Sequence, residues 1–207
     1  MAQLISFRPS KSPIREAVTK FGGQPVWIGE AQWPLSRETG NPMRFIAQIR
    51  LEAREFGLGQ DKMAYLFMTD EEEDFVDGTF EYDGGENALV ILPDGNNTPS
   101  QPLQSGPSLR AFVKVEGEAM LQPKEVEFFA DLSEQDDVEG EENFENKIGG
   151  SPHWLQGEEW PAGDNWRLVM QLDSASVPFD INFGDAGVGY AFLSADGKTG
   201  KFGWQCA

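Results

Sequence analysis

The sequence predicts an α+β protein, mostly antiparallel β, in which two duplicated halves related by a pseudo-two-fold axis form a single compact domain. Three observations predict this class. Apolar stretches are short, the segments between them are rich in Gly, Pro and Asn, and only one stretch has the pattern of a helix. Such strands and turns are typical of antiparallel sheets, because alternating β/α units would need many more helices.

An internal repeat predicts the two halves. Residues 20–27, followed by Trp33-Pro34, return as residues 147–154, followed by Trp160-Pro161, at a constant offset of 127 residues. Two copies at this spacing are too few and too long for a solenoid, so they indicate a duplicated half-domain. We expect one domain over residues 1–207, with a first half of about 20–130, an acidic junction of about 133–146 and a second half of about 147–206.

Weaker matches extend the repeat into two pairs of predicted strands. Gln48 and Gln171 occupy the same place in the first pair, and Tyr65 and Tyr190 begin the second pair. The Gly, Pro, Trp and Gln residues that the copies share therefore indicate a common framework.

The secondary structure is predicted in chain order. Residues 12–20 form the helix candidate, with Pro13 in its first turn and Gly22 after its end. Strands are then predicted at eight places: 45–51, 63–68, 88–92, 109–115, 125–130, 167–172, 189–193 and 201–206. Residues 96–107 are predicted to be a polar loop, and residues 133–146 a solvated acidic segment that is mobile or helical.

The composition indicates a folded cytoplasmic protein. Hydrophobic residues make up 39% of the 207 residues and aromatic residues 12%, which is enough to build a core. No apolar run approaches the ~20 residues that a membrane span needs, and residues 1–12 lack the apolar stretch of a secretory signal. The single cysteine, Cys206, excludes an intrachain disulfide and fits a reducing compartment.

The net charge of −19 is unevenly distributed. Residues 63–109 contain ten acidic residues and no Lys or Arg, and residues 125–146 repeat this pattern with another ten. Such a chain should repel nucleic acid and anionic membranes and attract a basic partner over long distances. The alternative is that the acidic surface only keeps the protein soluble.

With these motifs in view, the chain resembles the YwqG-like family of bacterial proteins of unknown function. The resemblance covers residues 21–206 and depends on segments 20–27, 42–48, 85–88, 148–156, 171–174, 182–185 and 203–206. It implies a compact intracellular protein and no particular reaction.

The residue types that could support catalysis are few. His153 is the only histidine, and Val26 stands at its place in the first copy, which favours packing over chemistry. Four Cys or His ligands for zinc are not available. Residues 180–185 alternate oxygen ligands, but a turn in which Asp and Asn cap backbone amides is the favoured interpretation. We therefore expect no catalytic residue, no metal and no cofactor.

The four repeated tryptophans permit two interpretations. Trp27, Trp33, Trp154 and Trp160 recur at equal spacing, which favours a structural role in the core, although they could also stack on a sugar or a Pro-rich peptide.

The first functional hypothesis is a non-enzymatic immunity protein that neutralises a basic bacterial toxin, for example a secreted nuclease effector. A nuclease presents Lys and Arg to phosphate, so an acidic inhibitor can occupy the same field. The predicted partner-binding residues are the acidic residues and neighbouring aromatic anchors of two segments: Asp70, Glu71, Glu72, Glu73, Asp74, Phe75, Asp77, Phe80, Tyr82, Asp136, Asp137, Glu139, Glu141, Glu142 and Phe144.

The alternative is a small-ligand or carbohydrate-binding protein, or an enzyme of unrecognised type, with its site at the seam between the halves. Pockets often form at such seams. This hypothesis predicts a concave site lined by the conspicuous tryptophans, Gln48 and Gln171.

Overall fold

The computed structural model describes residues 2–70, 76–94, 99–136, 145–163 and 165–207. Its strands are β1 (Ala2–Pro9), β2 (Lys20–Gly22), β3 (Trp33–Pro34), β4 (Arg44–Leu51), β5 (Lys62–Met68), β6 (Asn87–Leu92), β7 (Ser100–Gln101), β8 (Arg110–Val113), β9 (Gln122–Glu125), β10 (Glu127–Gln135), β11 (Lys147–Gly149), β12 (Arg167–Asp173), β13 (Val188–Leu193) and β14 (Gly200–Gln205). Over the described residues, the helices are α1 (Ala53–Phe56) and a 3-10 turn at Ser174–Ser176.

The predicted α+β class is wrong, because the described chain is nearly all antiparallel β. The helix predicted over residues 12–20 does not form. A nine-residue helix is marginal in water, and side chains from the sheet bind this segment's backbone instead. The Gln48 amide donates to the carbonyls of Glu16 and Val18, and Glu127 accepts the Ile14 N–H.

Each of the eight predicted strand positions does contain a strand, although some boundaries differ. Strand β10 runs on to Gln135, so residues 133–135 of the predicted acidic segment belong to the sheet. Strand β1, which was not predicted, pairs with β10 from Ala2 opposite Gln135 to Pro9 opposite Phe128.

One ten-stranded sheet contains both copies of the repeat. Its order is β14-β13-β12-β11-β1-β10-β2-β4-β5-β6, so four strands on one side (β11, β12, β13 and β14) and four on the other (β2, β4, β5 and β6) are arranged symmetrically about the central β1–β10 pair. The edge strands β14 and β6 approach each other. Gly200 allows this, because a Cβ there would overlap the Leu89 carbonyl oxygen. The sheet is therefore nearly closed and barrel-like.

Alternation along the strands divides the apolar residues between the two faces of the sheet. Ala64 and Leu66 on β5 face the central core, whereas Tyr65 and Phe67 belong to an outer aromatic cluster. Strand β13 repeats this arrangement with Tyr190 and Phe192 in a second outer cluster. Both clusters need segments that cover them. The segments that contain the repeated tryptophans, residues 23–33 and 150–160, supply this cover, and we call them the first and second tryptophan loops.

Within the described residues, no helix is long and apolar enough to cross a lipid bilayer.

Candidate functional site

Two side chains of the sheet hold the first tryptophan loop. Gln48 Oε1 accepts the backbone N–H of Val26 at 2.8 Å. The Tyr65 hydroxyl accepts the N–H of Ile28 at 3.0 Å and donates to the Val26 carbonyl at 2.8 Å. A buried loop must satisfy its backbone polar groups, and these bonds do so for the residues on either side of Trp27.

The second tryptophan loop is held in the same way. Gln171 Oε1 accepts the backbone N–H of His153 at 2.8 Å. The Tyr190 hydroxyl accepts the N–H of Leu155 at 3.0 Å and donates to the His153 carbonyl at 2.8 Å. The shared Gln and Tyr residues therefore build one loop geometry twice.

Burial keeps both tyrosine hydroxyls protonated. It raises the pKa of Tyr65 to about 12, and it raises the pKa of Tyr190 above its ordinary value as well. Each hydroxyl can therefore donate to the loop carbonyl throughout the physiological pH range.

The aromatic stacks also match. Trp27 lies 4.7 Å from Tyr65 and 6.1 Å from Phe67 between ring centroids. Trp154 lies 4.8 Å from Tyr190 and 5.8 Å from Phe192. Trp33 and Trp160, the second tryptophans of the copies, each lie 5.2 Å from the corresponding Phe ring.

The two copies differ in what covers them. Trp33 is fully buried, whereas Trp160 exposes 40% of its surface. The indole N–H of Trp33 donates to the Met43 carbonyl at 2.8 Å, while that of Trp160 turns to the Glu158 carboxylate at 2.5 Å. One tryptophan is therefore a core residue and the other a surface residue, although both occupy equivalent positions of the repeat.

A segment of the first half, residues 104–108, covers the first copy; we call it the covering segment. Gln24 and Gly106 exchange two hydrogen bonds of 2.9 Å, from the Gln24 amide to the Gly106 carbonyl and from the Gly106 N–H to Gln24 Oε1. Trp27 Nε1 donates to the Gln104 carbonyl at 3.4 Å, and the Phe45 N–H donates to the Pro107 carbonyl at 2.9 Å. This segment lies against the indole of Trp33, where a Cβ on Gly106 would come within 2.9 Å of the ring.

In the second copy, a cavity of about 950 Å³ lies where the covering segment would be. The offsets of the repeat place Ser151, Trp154, Trp160 and Leu168 at the positions of Gln24, Trp27, Trp33 and Phe45. All four of these second-half residues line the cavity. The cavity is thus the uncovered counterpart of a site that is filled in the first half.

The remaining walls come from both sides of the seam. The central strands contribute Gln3 and Glu134, and α1 contributes Arg54, Glu55 and Phe56. The second half completes the lining, which includes His153, Glu158, Trp166 and Arg167. Aromatic rings that meet charged and polar groups in one concave site are typical of a ligand pocket.

Arg167 is a cation in this wall without a carboxylate partner among the described residues. Its guanidinium donates to the carbonyls of Phe56, Ser194 and Ala195. The equivalent Arg44 pairs with Asp70, and the repeat places Ala195 where Asp70 stands. The second half has therefore kept the arginine and lost its partner, which leaves positive charge beside the cavity.

The alternative hypothesis of a small-ligand site predicted that Gln48 and Gln171 line it, but neither residue lines this cavity. Both are fully buried and support the loops from behind. The tryptophans of the second half do line the cavity, whereas Trp27 and Trp33 pack under the covering segment.

The predicted partner-binding residues are partly described. Asp70 forms ion pairs with Arg44 and Arg110, Asp77 accepts the Gly78 N–H, and Asp136 is exposed after the end of β10. Ten others lie outside the described residues: Glu71, Glu72, Glu73, Asp74, Phe75, Asp137, Glu139, Glu141, Glu142 and Phe144.

The two described aromatic anchors lie together against β14. Tyr82 packs on Phe192 and donates its hydroxyl to the Glu159 carbonyl at 2.6 Å, so it connects the halves. Phe80 packs on Trp204 and exposes 43% of its surface. Among the described residues, no contact joins these anchors to Asp136.

Two polar side chains of the turn at residues 180–185 have partners within the protein. Asn182 Oδ1 accepts the Gly184 N–H at 2.9 Å, and the Asp180 carboxylate lies 3.6 Å from Arg110. Within the described ranges, no three His, Cys, Asp or Glu side chains are grouped to hold a metal ion.

A family model for a domain of unknown function, DUF1963, matches residues 19–202. The chain belongs to the DUF1963 family. The match spans both tryptophan loops, the covering segment and every second-half wall of the cavity, so the DUF1963 domain includes the whole duplicated framework. No curated protein matches the chain.

Sequence reasoning missed the asymmetry of the DUF1963 domain. The one sequence difference that could have indicated it is at the position occupied by Gln24 in the first copy and by Ser151 in the second. The importance of this difference could not be predicted, because Gln24 binds Gly106, which lies 82 residues away along the chain.

Proposed function

We propose that the protein is a ligand-binding protein whose site is the cavity between its two halves. The observation that carries this proposal is the pair Trp33 and Trp160: equivalent residues of which one is covered by the chain itself and the other faces an open cavity. Large exposed aromatic residues in a concave wall are available to a ligand, because their burial on binding is favourable.

The charges of the wall support a polar ligand with an apolar part. Arg54 and Arg167 provide donors, while Glu55, Glu134 and Glu158 provide acceptors. A volume of about 950 Å³ lies at the upper end of the range of about 300–1,000 Å³ that is usual for small-molecule sites. The ligand is therefore either a small molecule at the upper end of the usual size range or a short segment of a polymer.

The test is ligand-observed NMR with a library of monosaccharides, nucleotides, indoles and short peptides. We expect at least one class to bind, and Trp160→Ala to abolish that binding. Phe80→Ala is the matched control, since Phe80 is an aromatic residue of similar exposure outside the cavity. Binding that survives Trp160→Ala, or no binding from any class, would contradict the proposal.

A second candidate function is the neutralisation of a basic toxin, such as a nuclease effector. The net charge of −19 and the exposed ring of Phe80, which follows the acidic residues 70–74 in the sequence, favour it, because aromatic anchors that become buried within a charged rim are typical of inhibitor interfaces. The test is binding to the product of a neighbouring toxin-like gene at low salt. Charge reversal at residues 71–74 and 136–142 should abolish binding, and unchanged affinity would exclude this function.

We further propose that the protein is YwqG-like within the DUF1963 family and acts in the cytoplasm. The motifs that carry the YwqG resemblance lie almost wholly within the matched residues 19–202, and the single cysteine fits a reducing compartment.

A further inference from the structure

We infer that the ligand of the cavity is an extended peptide segment of a partner protein, containing a Gly-Pro step. This inference rests on the proposed function and specifies its ligand class. It comes from the first half, where the chain's own covering segment occupies the equivalent site.

The covering segment is bound as a peptide would be. Three of its residues are held through the backbone: Gln104 by Trp27, Gly106 by Gln24 and Pro107 by Phe45. The side chains of Gln104 and Ser105 are exposed, so the site contacts chiefly the backbone of the covering segment. Recognition of an extended backbone beside aromatic rings is a recurrent mode of peptide binding.

The cavity keeps the parts that hold the backbone. Trp154 and Trp160 repeat the two rings, and Leu168 stands where the N–H of Phe45 meets Pro107. The bulge that shapes β4 between Phe45 and Ala47 recurs in β12 between Leu168 and Met170. A peptide carbonyl can therefore approach Leu168 as the Pro107 carbonyl approaches Phe45.

A glycine in the ligand follows from the same geometry. Gly106 lies so close to Trp33 that any side chain would meet the ring at 2.9–3.0 Å. Trp160 offers the same ring at the equivalent place, so the peptide residue over it has to be small. Proline next to it fits the aromatic wall, since Pro-rich segments dock on exposed aromatic rings at low entropic cost.

One exchange distinguishes the cavity from the covered site. Gln24 exchanges two hydrogen bonds with Gly106, and Ser151 at the equivalent position is too short to repeat them. This difference allows a test by gain of binding. Ser151→Gln should recreate the Gln24 contacts for a peptide that has the sequence of the covering segment.

The probe is the synthetic peptide acetyl-Pro-Leu-Gln-Ser-Gly-Pro-Ser-amide, which matches residues 102–108. Titration by isothermal calorimetry should show binding to Ser151→Gln about tenfold tighter than to the wild type, because two hydrogen bonds are gained. Replacing the peptide glycine by alanine should abolish binding, and so should Trp160→Ala in the protein. Thermal unfolding checks that both variants are folded.

The outcomes separate the two proposals. If compounds of the NMR library bind and Trp160→Ala abolishes their binding, while the peptide binds neither the wild type nor Ser151→Gln, the peptide inference is wrong and the cavity is still a ligand site. If neither binds, both proposals fail. A wild-type dimer that Trp160→Ala dissociates, measured by sedimentation, would identify a second copy of this chain as the occupant and overturn the assignment to a partner protein.

Discussion

The side-chain oxygen of Gln171 accepts the backbone N–H of His153 at 2.8 Å, the same distance at which Gln48 holds Val26 in the other half. His153 is the only histidine of the chain, and its backbone N–H and carbonyl both hold the loop in place. Because each Gln bonds backbone groups in two different segments, it joins the loop to the sheet.

Gln171→Leu should lower the free energy of unfolding by about 2–4 kcal/mol, because it leaves buried backbone groups without partners. Gln48→Leu should have an effect of the same size, since it loses the bonds to Val26, Glu16 and Val18. Urea unfolding measures both. Gln60→Leu makes the same chemical change at an exposed position and should stay within about 0.5 kcal/mol of the wild type.

The two second tryptophans should differ in their contribution to stability. Trp33→Ala removes a fully buried indole and its bond to Met43, so we expect a loss of about 3–5 kcal/mol. Trp160→Ala removes a ring that is already 40% exposed, and its loss should be about 1–2 kcal/mol. Equal losses in denaturant unfolding would mean that Trp160 is covered in solution.

Gln24→Ser gives the first copy the residue that the second copy has at this position, Ser151. It should release the covering segment locally, because both Gly106 bonds are lost. Hydrogen exchange at the Gly106 amide should accelerate by about tenfold. Gln104→Ser is the matched control: its backbone carbonyl, and not its exposed side chain, contacts Trp27. Unchanged exchange in Gln24→Ser would show that other contacts hold the segment.

Burial raises the pKa of all three tyrosines, to about 12 for Tyr65. A Tyr that titrates higher in the folded state gives stability that is complete below pH 10, its unfolded pKa, and is lost as the pH rises toward 12. Absorbance at 295 nm should therefore stay flat through pH 10 in the native protein. Tyr65→Phe should lose less stability than the wild type between pH 10 and 12, and a native tyrosine that ionises near pH 10 would contradict this prediction.

The contact of β6 with β14 should be sensitive to one methyl group. Gly200→Ala places a Cβ against the Leu89 carbonyl, so we expect destabilisation of about 1–3 kcal/mol. Gly59→Ala is the control, since its Cβ would meet nothing within 4 Å. Thermal unfolding of the two variants gives the comparison, and equal midpoints would mean that the two edge strands stand farther apart.

Much of the sheet could be predicted from the sequence alone. The eight predicted strand positions depend on local patterns of apolar and turn residues, which act over a few neighbouring positions. The helix over residues 12–20 was the failure of that reasoning. Its local pattern was adequate, but Gln48 and Glu127, which are distant in sequence, satisfy its backbone in another conformation.

The sequence by itself determined the duplication: which residues recur, at what spacing, and hence that Gln48 and Gln171, or Tyr65 and Tyr190, do the same work in each half. Only the tertiary structure decided that Trp33 belongs to the core and Trp160 to the wall of a cavity. The two tryptophans occupy equivalent positions of the repeat, and each lies 5.2 Å from the corresponding Phe ring. Their burial differs because the covering segment packs over Trp33 only, and that contact joins residues more than 70 positions apart.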